Sequence, residues 1–179
     1  MFRHPDNLRA IDDLLGFYRQ ADESILPRLI TLDDRVIEQV CVDARRLATS
    51  VSGHSPRQLA LRHGCQIIEE SFSIAEGRLQ LMGECSFAPG ERPLMRINRA
   101  AIDQVSRWTI ELVGTSEAAW FGPACLAELT IAHELYHLLT GASSAPLTEL
   151  GAHIFVRALT NWPFSPLILP ALLRRRPGG

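Results

Sequence analysis

His133 and His137 constrain the fold more than any other feature of the chain, because they stand four positions apart inside a long apolar stretch. Residues at this separation lie one above the other on the same face of an α-helix, so the two imidazole rings can reach one point in space. Glu134 follows the first histidine and is rotated by about 100° around the helix. The pattern His-Glu-x-x-His therefore predicts a helix over Ala124 to Thr140 that carries one half of a metal site.

The same three residues indicate a metal-assisted hydrolysis. Zinc lowers the pKa of a bound water to roughly 7, so the carboxylate of Glu134 suffices as a general base at neutral pH. Two imidazoles do not complete such a site, since a catalytic zinc usually has three protein ligands and one position open for water. The sequence is therefore expected to supply a third ligand.

Glu149 is the preferred third ligand. It lies in a second predicted helix, Pro146 to Leu159, and the connection over residues 141–145 is short enough for this helix to fold back antiparallel on the first. His153 follows one turn after Glu149 and is the alternative, either as the third ligand itself or as a group that orients a ligand through a hydrogen bond. Glu149 is preferred because two histidines and a glutamate form a known catalytic zinc set.

Short strands precede these helices along the chain. Runs rich in β-branched and apolar residues are separated by Gly- and Pro-containing turns, a pattern that predicts a small sheet of three strands. Apolar residues at helical spacing predict two further helices ahead of the sheet. The predicted class is α+β, with a three-stranded sheet packed against helices beside the active-site helix, from helices over 37–51 and 55–64 and strands over 65–72, 78–87 and 94–98.

With these motifs the chain resembles the ImmA/IrrE-type zinc metallopeptidases. Residues 130–138 match the active-site helix of that family, and residues 149–155 match its next helix, with a Glu, a polar residue four positions later and then Phe. Residues 59–68 and 94–98 resemble its helix-strand unit and its Ile-x-Asn-like element. The resemblance covers about residues 36–160. It implies a zincin-like metallopeptidase domain with one Zn²⁺ per chain, in which an edge strand, the second or the third, pairs with an extended substrate.

Two residues depart from the family pattern. Tyr136 stands where members usually have Gly, and it is a candidate donor of a hydrogen bond to the oxyanion of the reaction. His153 stands where members usually have Asn. The resemblance further implies limited proteolysis of a regulatory protein, such as a helix-turn-helix repressor, which would be a separate partner because this chain has no recognisable DNA-reading helix.

The length and charge of the chain suit a compact enzyme. Its 179 residues are expected to form one metallopeptidase domain, residues 31–179, preceded by an N-terminal helical extension, residues 1–30. A net charge of −2 gives no electrostatic reason to expect nucleic acid as a partner. The apolar stretch from Pro163 to Leu173 is too short to span a bilayer, and no run of signal-peptide length follows Met1, so a cytoplasmic protein is expected. The sequence leaves the oligomeric state open.

Three functions are compatible with these patterns. The first is a peptidase that cleaves a protein or peptide substrate. The second is a catalytically silent zinc-binding regulatory module, in which His153 as a fourth protein ligand would close the site to water. The third is an α-helical interaction protein in which the histidine pattern is coincidental. The four cysteines show no Cys-x-x-Cys spacing and are expected to be buried thiols.

Overall fold

The computed structural model describes residues 13, 15–20, 33–72, 82–88, 90–114, 117–141 and 146–173. Within them, helices pack against a small mixed sheet, which confirms the predicted α+β class. The helices are α1 (Asp34–Ser50), α2 (Pro56–Arg62), α3 (Arg99–Val113), a 3₁₀ turn (Ala118–Phe121), α4 (Pro123–Thr140), α5 (Pro146–Thr160) and α6 (Ile168–Leu173). The strands are β1 (Gln66–Glu70), β2 (Gly83–Ser86) and β3 (Leu94–Asn98).

Local capping groups explain where several helices begin. The Asp33 carboxylate accepts a hydrogen bond from the Arg35 backbone N–H at 2.9 Å and starts α1. Ser55 and Gln58 form a reciprocal capping box at the start of α2, with a proline in the first turn. The buried Asn98 accepts from the Ala101 N–H and starts α3 directly after the last strand. These caps satisfy backbone donors that a helix leaves without partners, so they define its first turn from local sequence.

The sheet has the order β1-β3-β2, with β1 parallel and β2 antiparallel to β3. The sequence left open whether the second or the third strand forms an edge, and the structure places β2 at an edge of the described sheet and β3 in its centre. Met95 and Ile97 on β3 are fully buried, as expected of a strand with partners on both sides. The chain returns from β2 through a loop into β3 and pairs the two antiparallel, which leaves the other side of β3 to β1.

Helix α4 occupies the centre of the domain. It packs against β2 and β3 on one side and against α5 on another, while α2 and α3 also contact it. Leu126, Ile131 and Leu135 on α4 are fully buried. The helix ends at Gly141, which adopts the left-handed conformation that favours glycine at a helix C-terminus. Helix α5 then runs back along α4 and packs on α1 with its opposite side.

Residues 15–20 are helical and are tied to the C-terminal part of the chain. The Ser165 backbone N–H donates to the Tyr18 carbonyl at 2.8 Å, and Arg157 donates to the Arg19 carbonyl at 2.8 Å. Leu15 is buried in the core. Residues 1–12, 14 and 21–30 of the predicted N-terminal extension lie outside the described residues, as do residues 78–81 of the second predicted strand and residues 142–145 of the predicted interhelical turn. The division of the chain at residue 31 stays a prediction.

Among the helices of the described ranges, none has both the length and the apolar character that a membrane span requires.

Candidate metal site

The two histidines of α4 meet on one face of that helix. His133 and His137 are one turn apart, and their Nε2 atoms lie 3.2 Å from each other. His137 is buried, whereas His133 is half-buried. The two imidazole rings therefore converge on one point, as their spacing of four residues predicts.

Glu149 completes the group from the facing helix. Its Oε2 lies 3.2 Å from Nε2 of His133, and its Oε1 lies 3.4 Å from Nε2 of His137. The ligand atoms of the three residues all lie within 4.8 Å of one another, and among the described residues this is the group that could hold a metal ion. The predicted third ligand is therefore brought to the two histidines because α5 runs back along α4.

The spacing of these atoms fits a tetrahedral metal. An ion with donors about 2.0–2.1 Å away in tetrahedral geometry holds neighbouring donors about 3.3 Å apart. The contacts of His133 with His137 and with Glu149 are both 3.2 Å. Two imidazoles and one carboxylate are also a donor set that suits zinc and leaves the fourth tetrahedral position open. The residues present therefore fit a bound zinc ion.

Glu134 lies beside this group and contacts the sheet. Burial raises the pKa of its carboxyl, and the nearby charge of Glu149 raises this pKa further, whereas His133 and a hydrogen bond from the Cys85 backbone N–H lower it. A carboxylate whose pKa is raised binds a proton more readily, which suits a general base. The Cys85 N–H orients the carboxylate from strand β2.

A cleft of about 360 Å³ opens over these residues. One side is formed by α4 and α5, another by the beginning of β2, and a third by the C-terminal segment. Besides the acidic and histidine side chains of the site, its lining comprises Met82, Gly83, Leu129, Thr130, Val156, Pro166, Leu169 and Pro170.

Strand β2 approaches α4 at Gly83. A Cβ atom at this position would overlap the Thr130 side chain and lie 3.4 Å from the Arg96 carbonyl oxygen, so no larger residue fits without movement of the strand or the helix. A glycine inside a strand often marks such a close backbone approach. The position of Gly83 in the sequence is thus a signal that favours the second strand over the third as the one that lies against α4 beside the site.

His153 lines the cleft but does not belong to the group of three donors. Its ring lies 5.5 Å from the ring of His133, centre to centre. Burial lowers the pKa of His153 to about 4, with His133 and His137 lowering it further and Glu149 opposing them. The imidazole is therefore neutral at pH 7. The structure places it next to a predicted ligand, where it borders the cleft as a neutral polar group.

Tyr136 points away from the cleft. Its ring packs against Phe155 of α5 at 5.5 Å between centres, and its hydroxyl lies over Gly151 of the same helix. The residue is buried and is not part of the cleft lining. The structure thus does not bring the candidate oxyanion donor to the other site residues, but places it in the packing between α4 and α5.

Comparison with known proteins adds no further constraint: no protein-family model, curated protein or solved structure matches the chain. The geometry of the site therefore carries the functional argument by itself.

Proposed function

We propose that this protein is a zinc-dependent metallopeptidase of the ImmA/IrrE type with a zincin-like fold. In it, His133, His137 and Glu149 hold one zinc ion and Glu134 is the general base. The observation that carries the proposal is the convergence of three donor groups at the separations of a tetrahedral site. A carboxylate with a raised pKa stands beside them, in a cleft that borders a sheet edge.

The residues divide the reaction between them. A bound zinc ion supplies Lewis acidity, since it lowers the pKa of a water to about 7 and polarises the carbonyl of the peptide bond. Glu134 takes a proton from the attacking water and delivers it to the amine leaving group, so it acts first as a base and then as an acid. The Cys85 N–H holds the Glu134 carboxylate towards the reacting groups.

The position of β2 supports a polypeptide substrate. Among the described residues this strand pairs with β3 alone, so it is an edge of the described sheet, the position at which an extended chain adds to a sheet. Main-chain hydrogen bonds to a strand edge bind a peptide without regard to its side chains. The resemblance to the ImmA/IrrE-type enzymes favours limited cleavage of a regulatory protein, such as a helix-turn-helix repressor, in the cytoplasm.

A catalytically silent zinc module is less well supported. It requires a fourth protein ligand that closes the site to water, and His153 is the residue at hand. The donor atoms that converge belong to His133, His137 and Glu149, with His153 outside that group. An open fourth position is the arrangement that hydrolysis needs.

The metal site is tested by elemental analysis of the purified protein after supply of zinc. We expect about one zinc per chain, with loss in His133→Ala and in Glu149→Ala. His63→Ala is the matched control, because His63 is an exposed histidine that does not line the cleft. Absence of zinc from the wild type, or equal zinc in all four chains, would refute the site.

Turnover is tested separately with Glu134→Gln and a peptide library analysed by mass spectrometry. We expect this variant to keep its zinc and to cleave roughly 10²–10⁴-fold more slowly than the wild type, the usual contribution of a general base. Glu111→Gln changes an exposed carboxylate on α3 and serves as the control, with unchanged cleavage expected. Equal cleavage by the wild type and Glu134→Gln would show that Glu134 is not the base.

A further inference from the structure

One role in the proposed reaction has no residue assigned to it. As water adds to a peptide bond, the carbonyl oxygen becomes negatively charged, and hydrogen-bond donors aimed at this oxygen stabilise it strongly. Tyr136 is the donor that the sequence suggests, but its hydroxyl lies over Gly151 and the residue does not line the cleft. Another side chain of the cleft is therefore expected in this role.

The side chains that line the described cleft offer few hydrogen-bond donors. Thr130 is engaged, because its hydroxyl donates to the Leu126 carbonyl at 2.8 Å. Glu134 and Glu149 accept hydrogen bonds as carboxylates, and His133 is a proposed ligand. The other described lining residues except His153 have no donor in their side chains; they are Met82, Gly83, Leu129, Val156, Pro166, Leu169 and Pro170. Among these side chains, His153 is left as the donor.

The burial of its ring indicates which nitrogen of His153 reaches the cleft. Nδ1 is buried and has no hydrogen-bond partner among the described residues. The side chain as a whole is only half-buried and lines the cleft, so the far edge of the ring, which carries Nε2, is the polar part that reaches it. A buried N–H without a partner is rare and costly, so the proton of a neutral imidazole is expected on Nε2. An imidazolium carries the same Nε2–H, so donation from this atom does not depend on the charge of the ring.

His153 lies next to the proposed metal ligands without being one of them. Its ring centre is 5.5 Å from that of His133, and Glu149 lies one turn earlier on the same face of α5. The ligand atoms that converge belong to His133, His137 and Glu149. Because His133, Glu149 and His153 all line the cleft, a carbonyl group that approaches the two ligands comes beside the His153 ring.

We propose that His153 is a catalytic residue that donates a hydrogen bond from Nε2 to the carbonyl oxygen of the scissile peptide bond as this oxygen becomes negatively charged. This inference rests on the proposed function and assigns one more residue to its reaction. His153 transfers no proton in this role, because Glu134 delivers the proton to the amine leaving group. The residue stands where the peptidase family that the chain resembles usually has Asn, so donation from an imidazole is a property of this chain.

The first test compares steady-state cleavage by variants of the zinc-loaded protein. His153→Phe keeps a ring in place and removes the N–H, so kcat should fall roughly 10²–10³-fold, the usual effect of removing one such donor. KM and zinc content should stay unchanged, because the donor acts on a charge that develops only during the reaction. His153→Gln restores a side-chain N–H and should recover part of the loss. His63→Phe is the matched control with unchanged kcat expected, because His63 is an exposed histidine that does not line the cleft.

The second test depends neither on the metal nor on activity. Nitrogen NMR of the imidazole rings in the metal-free wild type at neutral pH reports which ring nitrogen carries the proton. The signals of His153 are assigned by their loss in His153→Gln. We expect the proton on Nε2, whereas a proton on Nδ1 would leave no donor facing the cleft and would overturn the inference.

The outcomes separate this inference from the metallopeptidase proposal. Unchanged kcat in His153→Phe, or loss of zinc from that variant, overturns the catalytic role of His153. The metallopeptidase proposal survives either result as long as Glu134→Gln cleaves slowly and keeps its zinc. Equal cleavage by the wild type and Glu134→Gln, or no cleavage by either, refutes the metallopeptidase and the role of His153 with it.

Discussion

The contact between Tyr136 and Gly151 leads to the most specific prediction of the structure. A Cβ atom on Gly151 would overlap the Tyr136 hydroxyl and would lie 2.6 Å from Cζ and 3.1 Å from Cε1 of the ring. Ordinary carbon contacts are about 3.5–4 Å, so α5 or the ring must move by roughly 1 Å in Gly151→Ala. The ring has little freedom to move, because Tyr136 is buried and packs against Phe155.

The magnitude follows from two opposing effects. Overpacking of a core costs about 1–3 kcal/mol, whereas alanine in place of glycine inside a helix stabilises it by about 1 kcal/mol. Gly151→Ala should therefore lower the free energy of unfolding by up to about 2 kcal/mol in the wild type. In a Tyr136→Ala background the overlap is absent. Gly151→Ala should then raise the free energy of unfolding by up to about 1 kcal/mol. The two sites are then coupled by about 1–3 kcal/mol.

Urea unfolding of the metal-free protein measures this coupling from four chains: the wild type, the two single variants and the double variant. Gly16→Ala is the control for helix propensity alone, because a Cβ atom there meets no heavy atom within 4 Å. Zinc affinity should fall in Gly151→Ala as well, since displacement of α5 carries Glu149 away from the histidines. If the changes in unfolding free energy of the two single variants sum to that of the double variant within about 0.5 kcal/mol, the predicted coupling is refuted.

Other predictions concern the sheet, the pH dependence and the metal. Gly83→Ala should push β2 away from α4 and slow cleavage at unchanged zinc content. Thr130→Ser in the same chain should restore the rate of cleavage, because it removes the methyl group that the new Cβ meets. The pKa of His153 is about 4 in the folded protein against 6.5 in the unfolded chain, so only the unfolded state takes up a proton between these values. The metal-free protein should therefore lose about 2 kcal/mol of stability between pH 7 and pH 5. Urea unfolding at these two pH values measures the loss, and His153→Asn should remove it. Zinc at a hundredfold excess over its Kd should raise the free energy of unfolding by about 2.7 kcal/mol in the wild type and not in Glu149→Ala, as measured by urea unfolding with and without the metal.

The helices were predictable where local chemistry decides them. Helix α1 follows an apolar periodicity, and α2 has a capping box in its sequence. Helix α6 is not among the predicted elements, and its segment contains Pro166 and Pro170. Pro170 is the third residue of that helix, where a backbone N–H has no partner inside the helix anyway, so the proline is compatible with the first turn.

The arrangement of elements that are distant along the chain was harder to predict from the sequence. The strands have four or five residues each, and such short runs do not indicate which of them lies in the centre. The central position of β3 results from packing of Met95 and Ile97 beneath the helices. In the site, the spacing of the histidines and the position of Glu149 were predicted because they depend on helix geometry. The direction of Tyr136 depends on the neighbouring helix and could not be predicted from its own.

The two close approaches of glycine to α4 explain how one helix can organise the whole site. Gly83 brings β2 against Thr130 on one side, and this contact sets the distance from the strand to Glu134. Gly151 brings α5 against Tyr136 on another side, and this contact sets the distance from Glu149 to the histidines. The proposed base and the carboxylate ligand thus each depend on a separate glycine. For this reason Gly83→Ala should impair cleavage without loss of zinc, whereas Gly151→Ala should impair zinc binding itself.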